Sequence, residues 1–178
     1  MAFFVGSFTA DLIHPHFSED NISFIMTIWG VVNATTSYAI GHISDKIGRR
    51  IPLFFAYLLQ SICLAFLIYS SFVVGEPARY FIDYPWLMYV VSGLYSAGDA
   101  ILGTILFTIV SVFYATEEKS KMSNAFSIVR IVQNVGIGAG ALIGPLLSFP
   151  VKLLMSTGLM VVSIFTAVVL DRFVQSIG

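Results

Sequence analysis

Five apolar runs dominate this sequence, over residues 22–40, 51–74, 86–114, 122–147 and 151–170, and each is long enough to cross a bilayer. A hydrocarbon core of about 30 Å takes roughly 20 apolar residues wound as a helix. No water reaches the backbone inside lipid, so open strands are excluded and runs of this length fold as helices. Composition agrees: 57% of the 178 residues are hydrophobic and 11% are charged, against about a quarter charged in soluble domains. The sequence therefore specifies an all-α, multi-pass membrane protein whose first partner is the lipid bilayer. The third and fourth runs are long enough to tilt or to project beyond the membrane.

The first residues, MAFFVGSFTADL, are apolar but too short to span, and no basic stretch precedes them as in a signal peptide. Residues 1–12 read as the outer half of a sixth helix whose beginning is missing, which makes residues 1–178 a single membrane domain and the chain a fragment. Charge in the connections is uneven. Loops 41–50 and 115–121 and the tail after residue 170 carry Lys46, Arg49, Arg50, Lys119, Lys121 and Arg172, whereas the opposite side carries Arg79 and Lys152. The positive-inside rule then puts loop 41–50 and the C-terminus in the cytoplasm, in a plasma membrane or an endomembrane. Tyr80, Tyr84, Trp86 and Tyr114 sit where an interfacial aromatic belt is expected.

Several function classes drop out. A net charge of −1 gives no electrostatic footprint for nucleic acid. The lone Cys63 allows no internal disulfide and reads as a small buried side chain. No Cys/His grouping has zinc spacing, and His14-Pro15-His16 reads as exposed loop. No nucleophile–base grouping, phosphate loop or carboxylate pair is present, so the sequence implies no cofactor, no metal and no enzyme activity.

The stretch Gly41-His-Ile-Ser-Asp45-Lys46-Ile-Gly48-Arg49-Arg50 is unusually charged for its surroundings. Gly41 is expected to end one helix and Gly48 to permit a tight bend. Asp45 is an acceptor suited to a neighbouring helix N-terminus or an arginine. Lys46, Arg49 and Arg50 suit anionic headgroups. The spacing resembles the signature between the second and third helices of each half of the major facilitator superfamily (MFS). That resemblance implies a cytoplasmic latch that helps set the balance of inward- and outward-open states, with gating roles for Asp45, Arg49 and Arg50. GIGAGALIGP, with Gly136, Gly138, Gly140, Gly144 and Pro145, offers small residues at four-residue spacing for close helix packing. It looks like the glycine–proline motif of the fifth helix in MFS halves. Both landmarks fit one register if residues 1–12 count as the first helix. The implied fold is one six-helix half, the C-terminal one, which needs a missing N-terminal half or a second copy to complete a central cavity.

Within the superfamily the chain resembles the uncoordinated-ninety-three (Unc) family of ion-channel regulators. The resemblance rests on GVVNATTSYAIGHISDKIGRR, on Gly93-Leu-Tyr-Ser-Ala-Gly-Asp99-Ala, and on Arg130-Ile-Val-Gln133-Asn134-Val-Gly136. It implies a regulatory or trafficking partner of membrane proteins, with potassium channels as the expected kind of partner. The alternative is a secondary transporter of a small solute working by alternating access.

Charges within the apolar runs carry the remaining information. Asp99 and Arg130 each cost roughly 2.5–3.5 kcal/mol at a helix centre and should face protein or water. Helical spacing aligns Ser92, Ser96, Asp99 and Gly103 on one face, Ser127, Arg130, Asn134, Gly138 and Ala141 on another, and Gly30, Asn33, Ser37 and Gly41 on a third. Three such stripes could line a pathway that includes Asn33, Asp99, Arg130, Gln133 and Asn134. Asp99 and Arg130 stand as an interhelical clamp or as part of a substrate or ion site, although their offset from the hairpin centre is about 10 Å along the helices. Asn21-Ile-Ser23 is a glycosylation sequon on the non-cytoplasmic side, very close to the membrane.

Overall fold

A computed structural model describes residues 6–76, 78–113 and 119–177. The first five residues of the expected partial helix, Tyr114 and residues 115–118 of the charged loop lie outside them. The elements are α1 (Phe8–Ile13, one wide π-helical turn), α2 (Glu19–Ile47), α3 (Arg50–Ile68, continued by π-helical turns Tyr69–Val74), α4 (Arg79–Asp83), α5 (Trp86–Phe113), α6 (Lys119–Ile143) and α7 (Phe149–Ile177). Among the described residues there is no strand. The all-α membrane architecture is as the apolar runs require.

Among the described residues four helices are long and apolar enough to cross a membrane: Arg50–Val74, Trp86–Val112, Lys121–Leu146 and Phe149–Ala167. Helix α2 is outside that group, since Asn33, Thr35, Thr36 and Ser37 interrupt its apolar run. Three boundaries differ from expectation. Gly41 does not end α2; the helix runs six residues further, to Ile47, because nothing from His42 to Ile47 breaks it and one internal glycine costs only about 1 kcal/mol. Pro145 has no N–H, so α6 stops at Ile143 and gives way to a 3₁₀ turn, Gly144–Leu146. The stretch 75–85, expected as loop, holds the short helix α4, whose Phe81 is fully buried.

Helix α5 is the centre of the bundle, packed along both α2 and α3. One apolar cluster joins Phe8, Leu12 and Ile13 of α1, Ile25 of α2, Cys63, Leu64 and Leu67 of α3, and Phe81 of α4 to Met88, Val91 and Tyr95 of α5. Its aromatic rings meet edge to face, Phe8 on Phe81 at 5.5 Å and Phe66 on Phe81 at 5.9 Å. A second cluster, Ala56, Ile101 and Ile105, lies toward the charged turn. Large apolar side chains such as Phe54, Leu142 and Phe165 face outward, which lipid tails accommodate as readily as a protein core does.

The tightest helix crossing is at Gly98. A Cβ added there would lie 2.8 Å from Gln60 Cγ and 3.0 Å from the Ala56 carbonyl oxygen, so α3 reaches α5 only because Gly98 has no side chain. Gly103, one turn on, has no atom within 4 Å of the same construction. Gly98→Ala is expected to destabilise the bundle by about 1–3 kcal/mol through overpacking, and Gly103→Ala to leave it unchanged or firmer. Thermal unfolding of the two variants in detergent compares them directly; equal melting points would contradict the close crossing.

Candidate functional site

The charged turn is shorter than its sequence suggests. Helix α2 carries Gly41, Asp45 and Lys46 on its last two turns, where Ser44 Oγ donates to the Gly41 carbonyl at 3.1 Å. Only Gly48 and Arg49 separate α2 from α3. Gly48 makes the reversal with φ 79, a value that side chains disfavour, and its N–H donates to the Ser44 carbonyl at 3.0 Å. Asp45, Lys46 and Arg50 are exposed and Arg49 is half-buried. No side chain caps the start of α3, so Asp45 does not serve that helix as an acceptor. Its carboxylate stands at the bundle end, beside three basic residues of the same turn.

The polar stripes of α2 and α5 touch each other at Asn33 and Ser96. Ser92 and Ser96 are buried. Ser96 Oγ donates to the Trp29 carbonyl at 2.8 Å, and Asn33 Nδ2 reaches the Ser96 carbonyl at 3.5 Å. Small hydroxyl side chains let the two helices approach while satisfying each other's polar groups, as in other membrane bundles. Asp99, half-buried, lies at the end of this seam. Against the neighbouring Gly98 packs Gln60, which sequence reasoning passed over: it is 4% exposed, and its Nε2 is buried without a hydrogen-bond partner among the described residues. An unmet buried donor costs about 1–3 kcal/mol, and a single amide within the apolar run 51–74 was a visible signal.

Asp99 and Arg130 are not paired. The Arg130 guanidinium lies over the Phe107 ring, 5.9 Å from its centroid, while Phe126 of α6 stacks on the same ring at 5.8 Å. Phe107 is two helical turns beyond Asp99, in keeping with the axial offset between the two charges. Arg130, Gln133, Asn134 and Gly136 are exposed, Gly140 is half-buried, and Gly144 is buried where α6 ends at Pro145. No described atom lies within 4 Å of a Cβ built at Gly136 or Gly138, so the glycine face of α6 is uncovered within the described residues.

The other end of the bundle holds an arrangement the sequence did not announce. Lys152, at the start of α7 and 5% exposed, forms an ion pair with Asp11 of α1. Asp11 also lines a half-open cavity of ≈ 470 Å³ with His16, Glu76, Arg79 and Asp83. Asn21, in the first turn of α2, accepts a hydrogen bond from Tyr89 of α5 at 2.8 Å and donates to Ser18 Oγ at 3.1 Å. The sequon is thus helical and its amide engaged in helix packing.

A bundle of apolar helices with a charged two-residue reversal between α2 and α3 describes a polytopic membrane protein of the facilitator kind. The chain belongs to the major facilitator superfamily: that family's model matches residues 1–176. It is similar to a Bacillus subtilis protein named as the uncharacterized MFS-type transporter YhjO, 30% identical over 111 residues. That alignment covers 61% of this chain and 23% of the relative, so the chain spans less than a quarter of that protein's length. No solved structure matches.

Removing Asp11 from the Asp11–Lys152 pair leaves the buried Lys152 ammonium in a poorly hydrated place. Asp11→Asn, which strands the buried ammonium, is expected to cost on the order of 3 kcal/mol, and the double variant Asp11→Asn/Lys152→Met to recover part of it. Unfolding of both single variants and the double variant beside the parent measures the coupling; strictly additive losses would show the contact to be incidental.

Proposed function

We propose that this chain is one half of a secondary transporter that moves a small solute by alternating access, its charged turn acting as the latch. Membership of the superfamily over residues 1–176 supports this reading most directly. The similarity to a protein named as an MFS-type transporter points the same way and favours transport over the channel regulation that the Unc resemblance implied. In this reading Asp45, Arg49 and Arg50 lie at the cytoplasmic face, where the excess of basic loop residues places them. Gly48 keeps the reversal tight, so Asp45 is carried on a helix end and moves with it as a rigid unit. A partner half, or a second copy, would meet the uncovered face of α6 and complete a pathway containing Asn134 and Gln133. Gly136 and Gly140 would allow close helix approach there.

The experiment uses the whole protein in membrane vesicles, with Cys63 replaced by Ala and single cysteines placed at Ser37 or at Asp83. Maleimide labelling then reads water access near each end. Asp45→Asn or Arg49→Ala is expected to raise labelling at one end and lower it at the other several-fold, with surface expression reduced at most modestly. Unchanged labelling at both ends in both variants would remove the latch assignment. The expected effect is a shift between two states, and a latch worth a few kcal/mol suffices to produce it.

A further inference from the structure

We propose that the cavity between α1 and α4, at the end of the bundle away from the charged turn, is a binding site for a primary ammonium group on a short apolar body. Its wall carries Asp11, Glu76 and Asp83. The site is separate from the charged turn and from the uncovered face of α6, and it does not depend on the transporter reading.

The cavity is anchored from both sides. Its volume of ≈ 470 Å³ falls within the range of small-molecule sites, about 300–1,000 Å³. On one side α1 is fixed by Phe8, Leu12 and Ile13, all buried, and presents Asp11, whose side chain is 27% exposed. On the other side α4 is fixed by Phe81, which is fully buried. Arg79, Ile82 and Asp83 fall at helical spacing on the face of α4 opposite Phe81, and all three line the cavity. Leu12, Ala78 and Ile82 supply the apolar part of the wall. A buried anchor on each side thus fixes the backbone from which the charged side chains extend.

Charge decides what fits. Lys152, almost wholly buried, reaches Asp11 from within the protein and donates to its Oδ2, so one carboxylate of the wall already seats an ammonium. The other Asp11 oxygen makes no hydrogen bond or ion pair among the described residues. Nor do the side chains of Glu76, Arg79 and Asp83, although Arg79 and Asp83 stand four residues apart on one helix. Setting His16 aside, three carboxylates against the cations Arg79 and Lys152 leave one negative charge, which a single ammonium neutralises. A metal ion is a poorer fit, since among the described residues no three of His, Cys, Asp and Glu stand close enough to hold one. Carboxylates spread around a partly apolar wall suit an organic cation with several N–H donors, whereas a compact ion needs its oxygen ligands to converge. A free amine and the ammonium of an ethanolamine lipid headgroup share this chemistry.

The test uses the whole protein in phosphatidylcholine nanodiscs, with Cys63 replaced by Ala and a single cysteine at Ile82, an exposed position on the wall. The probe is n-butylammonium chloride, and the readout is the rate of labelling by a neutral maleimide. Butylammonium is expected to slow labelling several-fold and saturably, whereas sodium chloride or sodium butyrate at the same concentration leaves the rate unchanged. The double variant Glu76→Gln/Asp83→Asn is expected to lose the protection. Nanodiscs with added phosphatidylethanolamine distinguish the two sources. Slowed labelling before any amine is added assigns the ammonium to a lipid headgroup, and an unchanged rate there, with butylammonium protecting, assigns it to a free amine. Labelling that neither butylammonium nor the ethanolamine lipid slows overturns the proposal, as does protection that sodium butyrate matches or that survives the double variant. If Ile82→Cys does not fold, a cysteine at His16, exposed on the same wall, carries the same test. No transport is measured. A protein that shows the protection and carries nothing across a membrane therefore contradicts the transporter reading alone.

Discussion

Close approach of α5 to two helices at once fixes where every other polar group in this chain can lie. Lipid offers no partner for a stray N–H or hydroxyl, so each must be met inside the bundle. Ser96 meets the Trp29 carbonyl on one side, and on the other Gly98 gives up its side chain so that α3 can come within contact of its backbone. These two adjustments lie one turn apart or less on α5, and half-buried Asp99 follows directly after them. Were α5 pushed away from α2, the seam would lose these hydrogen bonds.

The ends of the bundle are held by different means. At the charged turn a helix simply runs beyond its apolar segment and reverses at Gly48, leaving Asp45 and the basic residues outside the packed core. At the far end aromatic packing around Phe81 and the Asp11–Lys152 ion pair tie α1, α4 and α7 together. The two ends thus differ in kind, a solvated turn at one and a buried ion pair at the other. Helix α6 belongs to neither. Its sole aromatic anchor among the described contacts is Phe126 on Phe107, and its polar and glycine faces remain available to another body.

The helices were legible because apolar length is a strong signal, and Asp99 stood out because a charge is costly in such a run. Helix ends were less legible. Gly41 looked like a terminator, but a glycine without a following breaker does not stop a helix, and α2 continues to Ile47. The stripes on α2 and α5 were readable as faces, yet periodicity says nothing of what a face meets; here they touch at Asn33 and Ser96. The Asp99–Arg130 relation was likewise beyond sequence, since pairing depends on axial register, and Arg130 settles over Phe107 instead. Gln60 carried a signal that went unused, a lone amide in an apolar run, and Lys152 was read only as a loop charge and not as a partner for Asp11.

The most direct measurement is a disulfide cross-link across the α2–α5 seam. Ile28→Cys and Gly93→Cys, introduced together into the full-length protein with Cys63 replaced by Ala, put one thiol on each helix where a Gly93 Cβ would lie 3.9 Å from the Ile28 side chain. Rapid, near-complete oxidation to an intramolecular disulfide in native membranes is the expected result, with a Tyr38→Cys/Gly93→Cys control remaining reduced. Failure of the first pair to cross-link, or equal yield in the control, would contradict the packing on which the seam depends.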